Sequence, residues 1–348
     1  MGISLMYDVI VIGAGPAGAV TARIVSSAGF RVLLLEKNGT CRSPCAGYIG
    51  NTINFEPPDD TIIQSGITKM RVYFPDMTFH DFQLNGFVVD RHLFDMDLVG
   101  RSQASGAEIR WSSPVTEISS KEVKFRNGNA SGKIIVGADG VFSKTAYFMG
   151  LEKQRFAACA QYHLMGVRPL SQTCEIFFNT GYAPGGYAWI YPTGKDSAKV
   201  GVGVTCSNPR MYLDKFIKYC DIPGRLNGKK TECITGALPI GGLREKLVSG
   251  NILLAGDSAG MADPITGAGI HNAILAGEVA GKTIVDALEQ DDIGLLSNYG
   301  IRIRRLLGKP LGRSLEKRKK IDACSNNDLL QGHLPDLWVT FKKYWENK

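Results

Sequence analysis

The apolar positions of the first forty residues fall into two unbroken runs with a small-residue segment between them. "VIVI", Val9 to Ile12, and the apolar part of "RVLLLE", ending at Glu36, are continuous stretches bounded by turn residues, the pattern of strands buried on both faces of a parallel sheet. The segment from Gly13 to about Ala28 reads as a helix, so the order predicts a βαβ unit. Buried runs recur at "KIIVGADG" from Lys133 and "NILLAGD" from Asn251, each ending in a glycine and an aspartate before a further helix, the last of which ends near Gln290. Elsewhere the period changes. "KMRVYFPDMTFHDFQL", Lys69 to Leu84, alternates about a Pro75-Asp76 turn and predicts a hairpin. Between Phe156 and Leu238, "AACAQYHLMGVRP", "CEIFFN", "GYAWIYP" and "AKVGVGVT" are strand-like runs separated by turn residues, and predict a mostly antiparallel sheet. Near the C terminus Leu334, Leu337, Trp338, Phe341, Tyr344 and Trp345 repeat at three and four residues, which predicts an amphipathic helix.

Composition narrows the class. The 348 residues are 44% hydrophobic and 21% charged, ordinary values for a folded chain that can bury a large core. The net charge of +7 is gathered in "IRIRRLLGKPLGRSLEKRKK", residues 301 to 320, where nine cations face Glu316 alone. That is a local patch and not the footprint of a nucleic-acid binder. No apolar run reaches the length of a membrane span, and the first apolar run leads straight into a glycine motif, so it reads as fold and not as a leader. A cytoplasmic protein is expected. The eight cysteines show no paired CxxC spacing, so no metal site is expected, and free thiols in a reducing compartment are the default.

Gly13, Gly15 and Gly18 form GxGxxG between the first strand and its helix. The first glycine makes a tight turn, the second lets the backbone approach a pyrophosphate, and the third lets the helix sit against the strand. Phosphates then rest on the helix N-terminus. Glu36 ends the second strand where a carboxylate accepts hydrogen bonds from a ribose diol. The context predicts dinucleotide binding. No second such motif follows a strand, so a resident NAD(P) domain is not expected.

With "VVDRHLFDMDLVGRSQASGAEI", "KIIVGADGVFSKTA" and the segment from Gly250 to Ile284, the chain resembles the p-hydroxybenzoate hydroxylase-like flavoproteins over about 300 residues. That resemblance implies FAD, with Asp257 at its ribityl or phosphate region and the loop holding Gly267, Gly269 and Ile270 at the isoalloxazine. Arg91 matches the arginine that approaches the dinucleotide from the second helix, and Val115 would line the adenine pocket through its backbone. Ala17, Lys37 and Asp139 complete the expected cofactor set. The residues alone leave alternatives: Arg91 as an ion pair with Asp95 one turn on, and Asp257 as a helix cap.

"GGYAWIYP" places Tyr187, Trp189 and Tyr191 on one strand face. Such a row suits core packing, yet it also resembles the Tyr-x-Trp-x-Phe-Pro motif of geranylgeranyl reductases, with Tyr191 where that family usually has phenylalanine. "SPCAGYIG" resembles the family's Pro-Cys loop beside the flavin at Cys45, Ala46 and Gly47, departing from it at Tyr48. The resemblance implies an FAD-dependent reductase of prenyl double bonds, with Cys45, Tyr187 and Trp189 as catalytic candidates. Cys45 would contact the flavin, donate a proton or change position with the redox cycle; a packed thiol is the plain alternative.

The expected fold is α/β: a Rossmann-like FAD-binding domain (1–67, 85–150, 239–290), an inserted, mostly antiparallel substrate sheet (68–84, 151–238) and a helical tail (291–348). Expected partners are a prenylated lipid or prenyl diphosphate and an external donor, NAD(P)H or a ferredoxin-like carrier. The tail either docks on the body and closes the substrate channel, or anchors the protein at the inner face of the membrane with the basic patch beside it. Two rival functions fit parts of the pattern: a flavin monooxygenase of the aromatic hydroxylase class, and a non-catalytic redox-sensing flavoprotein.

Overall fold

The computed structural model describes residues 5–41, 44–51, 58–219 and 224–346. Arg42 and Ser43 of the expected Pro-Cys loop, and Cys220, lie outside them. In chain order the elements are β1 (Leu5–Ile12), α1 (Pro16–Ser27), β2 (Val32–Leu35), β3 (Tyr48–Gly50), β4 (Ile63–Tyr73), β5 (Phe79–Val89), α2 (Arg91–Ala104), β6 (Glu108–Arg110), β7 (Val115–Ile118), β8 (Glu122–Phe125), β9 (Gly128–Gly137) and α3 (Lys144–Phe148). Then follow β10 (Phe156–Met165), β11 (Thr173–Phe177), β12 (Tyr187–Pro192), β13 (Ser197–Val204), α4 (Pro209–Tyr219), β14 (Lys229–Pro239), β15 (Val248–Ser249), β16 (Ile252–Leu254), α5 (Ile270–Glu289), α6 (Ser297–Ile303), α7 (Lys309–Ala323), α8 (Asn327–Leu337) and α9 (Lys342–Glu346).

The chain divides into two units, one of residues 1–43, 95–155 and 239–313, the other of 44–94, 156–238 and 314–348. The first is built on a sheet in the order β15-β16-β9-β1-β2-β6, with β7 and β8 beyond β9. β1 pairs in parallel with β2 and β9, and β9 with β16. The fully buried Val9 to Val11 and Leu33 to Leu34 supply the centre, as unbroken apolar runs do in a sheet covered on both faces.

The second unit holds a sheet in the order β14-β10-β13-β12-β11-β4-β5-β3. Most of its neighbours are antiparallel, and β11 runs parallel to β4. Register assigns its faces. Tyr162, Phe177, Ala188, Ile190, Val200 and Val202 form one core with Leu213 and Phe216 of α4. The alternate positions make the opposite face: Gln161 and His163 of β10, Lys199 and Gly201 of β13, Trp189 and Tyr191 of β12, and Ile176 of β11.

Three expectations need correction. The β4–β5 hairpin is longer than its turn signal suggested, and 44–67 and 85–94 cluster with the second unit, because β3 and β4 both pair with β5. The C-terminal helix is two helices: Trp338 leaves α8 in extended backbone, so its ring packs edge-on to Phe178 and Tyr187, while Phe341 meets Phe74, His80 and Phe82. With Trp338 2% and Tyr344 3% exposed, these rings are committed to packing in their own unit. The basic stretch is not one free patch either. Arg302 pairs with Asp286, Arg304 donates to the Glu245 carbonyl, Lys319 pairs with Glu316, and the side chains of Lys317 and Arg318 are buried against Asp336 and Asp322.

Candidate active site

In the first unit, the turn between β1 and α1 is shaped by sterics. Gly13 has φ +101°, open to glycine but strained for other residues, and a Cβ there would lie 2.3 Å from the Ala138 carbonyl oxygen. A Cβ on Gly18 would lie 2.0 Å from the Gly13 carbonyl oxygen, which is why α1 approaches the turn so closely. Gly15, the N-cap, differs: nothing lies within 4 Å of where its Cβ would be. α1 opens with no side-chain cap and no acidic residue, so its first amides are left for an anion. Open space over Gly15 and uncapped amides fit a pyrophosphate.

Glu36 accepts from the Ala14 amide at 3.0 Å and from the Asn38 amide and side chain at 3.0 and 2.8 Å, holding its carboxylate at the end of β2 beside the glycine turn. Ala17 is buried behind that turn, and Lys37 points to solvent. Asp139 turns both oxygens onto Ser143 and Thr145, the start of α3, so it organises the loop after β9. Val115 opens β7, and its carbonyl accepts from Lys144 at 2.7 Å.

The segment after β16 makes a 3₁₀ turn from Gly256 to Ala259 in which Asp257 is half-exposed among buried neighbours. Its carbonyl accepts from Gln154, and a carboxylate oxygen lies 3.5 Å from the Cβ position of Gly269. Asp257 therefore approaches the N-terminus of α5, where Gly269 provides no side-chain cap. Sequence reading missed Asp263, whose carboxylate accepts from the amides of Ile265 and Thr266 and fixes the loop carrying Gly267, Gly269 and Ile270. An aspartate beside proline in a glycine-rich loop is the signal for that turn.

In the second unit Tyr187, Trp189 and Tyr191 do share a face of β12. Tyr187 and Trp189 meet edge to face at 5.9 Å, and Tyr191 meets Tyr48 at 6.2 Å. The indole of Trp189 lies over Gly201, where a Cβ would come within 2.2 Å of the ring, and its Nε1 donates to Gln161 at 3.2 Å. Gln161 and Gly201 thus orient the tryptophan; neither was singled out in sequence. Burial pushes the Tyr191 hydroxyl far above the ordinary tyrosine value, so it stays protonated.

Cys45 is a free, half-buried thiol whose sulfur accepts from the Gly47 amide at 3.4 Å. Ala46 is half-buried and Gly47 buried. Gly47 has φ +87° and is wedged against the Val89 carbonyl and the side chains of Arg91 and Lys199. Arg91 is 8% exposed at the start of α2. Among the described residues no group of His, Cys, Asp and Glu is arranged to hold a metal.

A cradle for a dinucleotide in one unit and an aromatic sheet face with a thiol loop in the other define an FAD-dependent oxidoreductase. Residues 6–51 match the profile of an FAD binding domain, and residues 156–238 that of a geranylgeranyl reductase catalytic domain. The digeranylgeranylglycerophospholipid reductase of Methanocella arvoryzae is 32% identical, over 93% of this chain and 89% of the relative. A second reductase of that name, from Methanothermobacter thermautotrophicus, is 30% identical over 93% and 90%. The chain belongs to this reductase family. The geranylgeranyl bacteriochlorophyll reductase-like protein of Thermoplasma acidophilum superposes with a TM-score of 0.87 at 25% identity, covering 98% of this chain and 93% of that one. A flavin-dependent brominase, at 18% identity and a TM-score of 0.71 over 95% and 91%, shares the fold.

Proposed function

We propose that the protein saturates carbon-carbon double bonds of geranylgeranyl chains carried on a glycerophospholipid. The observation that carries this is the face formed by Tyr187, Trp189 and Tyr191 with the Cys45 loop, in a chain that matches reductases of such lipids along nearly its whole length. When bound, FAD supplies the hydride chemistry. Gly13, Gly15, Ala17, Gly18 and Glu36 would hold its dinucleotide part, with Lys37 and the Val115 backbone at the adenosine end. Asp257, Gly267, Gly269 and Ile270 would face the ring system and Asp139 would fix the adjoining loop; Arg91, Cys45, Ala46 and Gly47 complete the set that the family resemblance assigns to the cofactor.

Tyr187 and Trp189 orient the polyene, because flat rings offer area without adding a competing polar group. The buried aromatic face also excludes water. Electrons come from an external donor, NAD(P)H or a ferredoxin-like carrier. No described helix is long and apolar enough to cross a membrane, and in this reading the lipid is met at the membrane surface. The half-exposed Trp345, together with the exposed Leu329, offers the tail an apolar contact there.

Cys45→Ala and Trp189→Ala are expected to retain FAD and to lose alkene reduction, the first through loss of the thiol at the loop and the second by about a hundredfold through misorientation of the chain. Flavin content and turnover with a geranylgeranylated glycerophospholipid check this, and full activity in both variants would remove the assignment of the site.

A further inference from the structure

Lys199 interrupts an otherwise uncharged strand that is buried along its full length. It is 8% exposed, although lysine is seldom buried without a paired charge. Its register places it beside Tyr191 on β12 and His163 on β10, on the same face as Trp189. The ammonium donates to the Val89 carbonyl at 2.9 Å and lies 3.4 Å from the Cβ position of Gly47, two residues from Cys45. Val89 in turn donates its amide to the Gly47 carbonyl at 2.9 Å. The Cys45–Gly47 loop is therefore seated on the strand end that Lys199 grips.

We propose that Lys199 is the proton reservoir of the alkene site, acting through Cys45. This rests on the reductase reading above. The S–H bond of Cys45 breaks as a C–H bond forms on one carbon of the alkene; FAD, when bound and reduced, would supply the hydride for the other carbon. An N–H bond of Lys199 then breaks to restore the thiol, and the neutral amine regains its proton from solvent. Lys199 is a positioning residue in this scheme, and Cys45 is the group that touches substrate.

Burial holds the ammonium of Lys199 below the ordinary lysine value, with the nearby Arg91 acting in the same sense and Cys45, Asp90 and Glu232 opposing it. His163, whose own value burial and Lys199 lower, also faces the site and is neutral near pH 7. A lysine so placed gives up a proton more readily than one in water.

The test is single-turnover reduction of a geranylgeranylated glycerophospholipid by reduced, FAD-loaded enzyme from about pH 6 to about pH 10, with the rate of iodoacetamide alkylation at the Cys45 peptide read by mass spectrometry. The wild-type reduction rate should fall on the alkaline side, below the usual range of lysine. Lys199→Arg keeps a fixed charge that is not surrendered in this range. It should retain the Cys45 alkylation rate yet reduce the alkene about a hundredfold more slowly, with the alkaline limb abolished. Lys199→Met should lower both rates, since it removes the ammonium beside the Cys45–Gly47 loop together with its transferable proton. Reduction by Lys199→Arg at the wild-type rate and with the wild-type profile would overturn the proposal. So would a wild-type profile flat through about pH 10.5, whether or not the variants fold. Absence of alkene reduction by the wild type would instead count against the reductase reading, and the alkylation rates would still report on the pairing of Lys199 with Cys45.

Discussion

Gly18→Val is expected to give a protein that retains no FAD. The Cβ would start 2.0 Å from the Gly13 carbonyl oxygen, and Gly13 is itself confined, its own Cβ position lying 2.3 Å from the Ala138 carbonyl oxygen. Backbone lies on both sides, so the strain is relieved only if α1 moves away from the sheet. That displaces the amides that would receive the pyrophosphate. Gly15→Ala is the informative partner. Nothing in the protein lies within 4 Å of the added methyl, so the variant should melt at the wild-type temperature while binding FAD more weakly, because the methyl occupies space kept for the cofactor. Flavin-to-protein absorbance ratios after gel filtration, with melting curves, check both; wild-type FAD affinity in Gly15→Ala would show that the space over that turn is not where phosphate rests.

Asp336→Ala is the second large effect. Asp336 in α8 accepts from Lys317 at 2.6 Å and from Lys320 at 2.7 Å. The Lys317 side chain is only 5% exposed. Removing the carboxylate strands a buried ammonium, at a cost of about 3 to 5 kcal/mol to the docked tail. Replacing both partners, Lys317→Met with Asp336→Leu, should cost far less, since the penalty comes from the unpaired charge and not from the absent bond. Urea unfolding and limited proteolysis of the tail distinguish the two, and equal destabilisation of the single and double variants would show that the pair does not hold α8.

Much of the cofactor half was legible in sequence because its demands are local. A turn that cannot tolerate side chains, a strand buried on both faces and a carboxylate at a strand end all fall within thirty residues of one another, so order and spacing suffice. The aromatic row was legible for a similar reason, as alternation alone places Tyr187, Trp189 and Tyr191 on one face. What lay hidden depends on partners far apart in the chain. Gly201 read as an ordinary strand residue until register set it beneath the Trp189 indole. Gln161 gained its part only when β10 came next to β13. The break at Trp338 was invisible to a helical repeat that continues through it, because the aromatic sheet surface under Trp338 and Phe341 competes successfully with one more turn of helix. α4 and β14 were passed over, the first because its buried residues are Leu213 and Phe216 alone, the second because most of it is not deeply buried. Lys199 did carry a signal, as the single charge within "AKVGVGVT": an ammonium in the middle of an apolar run must find a carbonyl or a carboxylate once that run is buried.

The measurement that bears most directly on the account is anaerobic reoxidation of the dithionite-reduced protein, followed at the flavin absorbance, with a geranylgeranylated glycerophospholipid as oxidant and mass analysis of the lipid. The account predicts reoxidation by the lipid without oxygen and a gain of about two mass units for each bond saturated. A fully flavin-loaded protein that the lipid leaves reduced, but that oxygen reoxidises quickly with transfer of an oxygen atom to an aromatic substrate, would contradict it and assign the chain to hydroxylase chemistry.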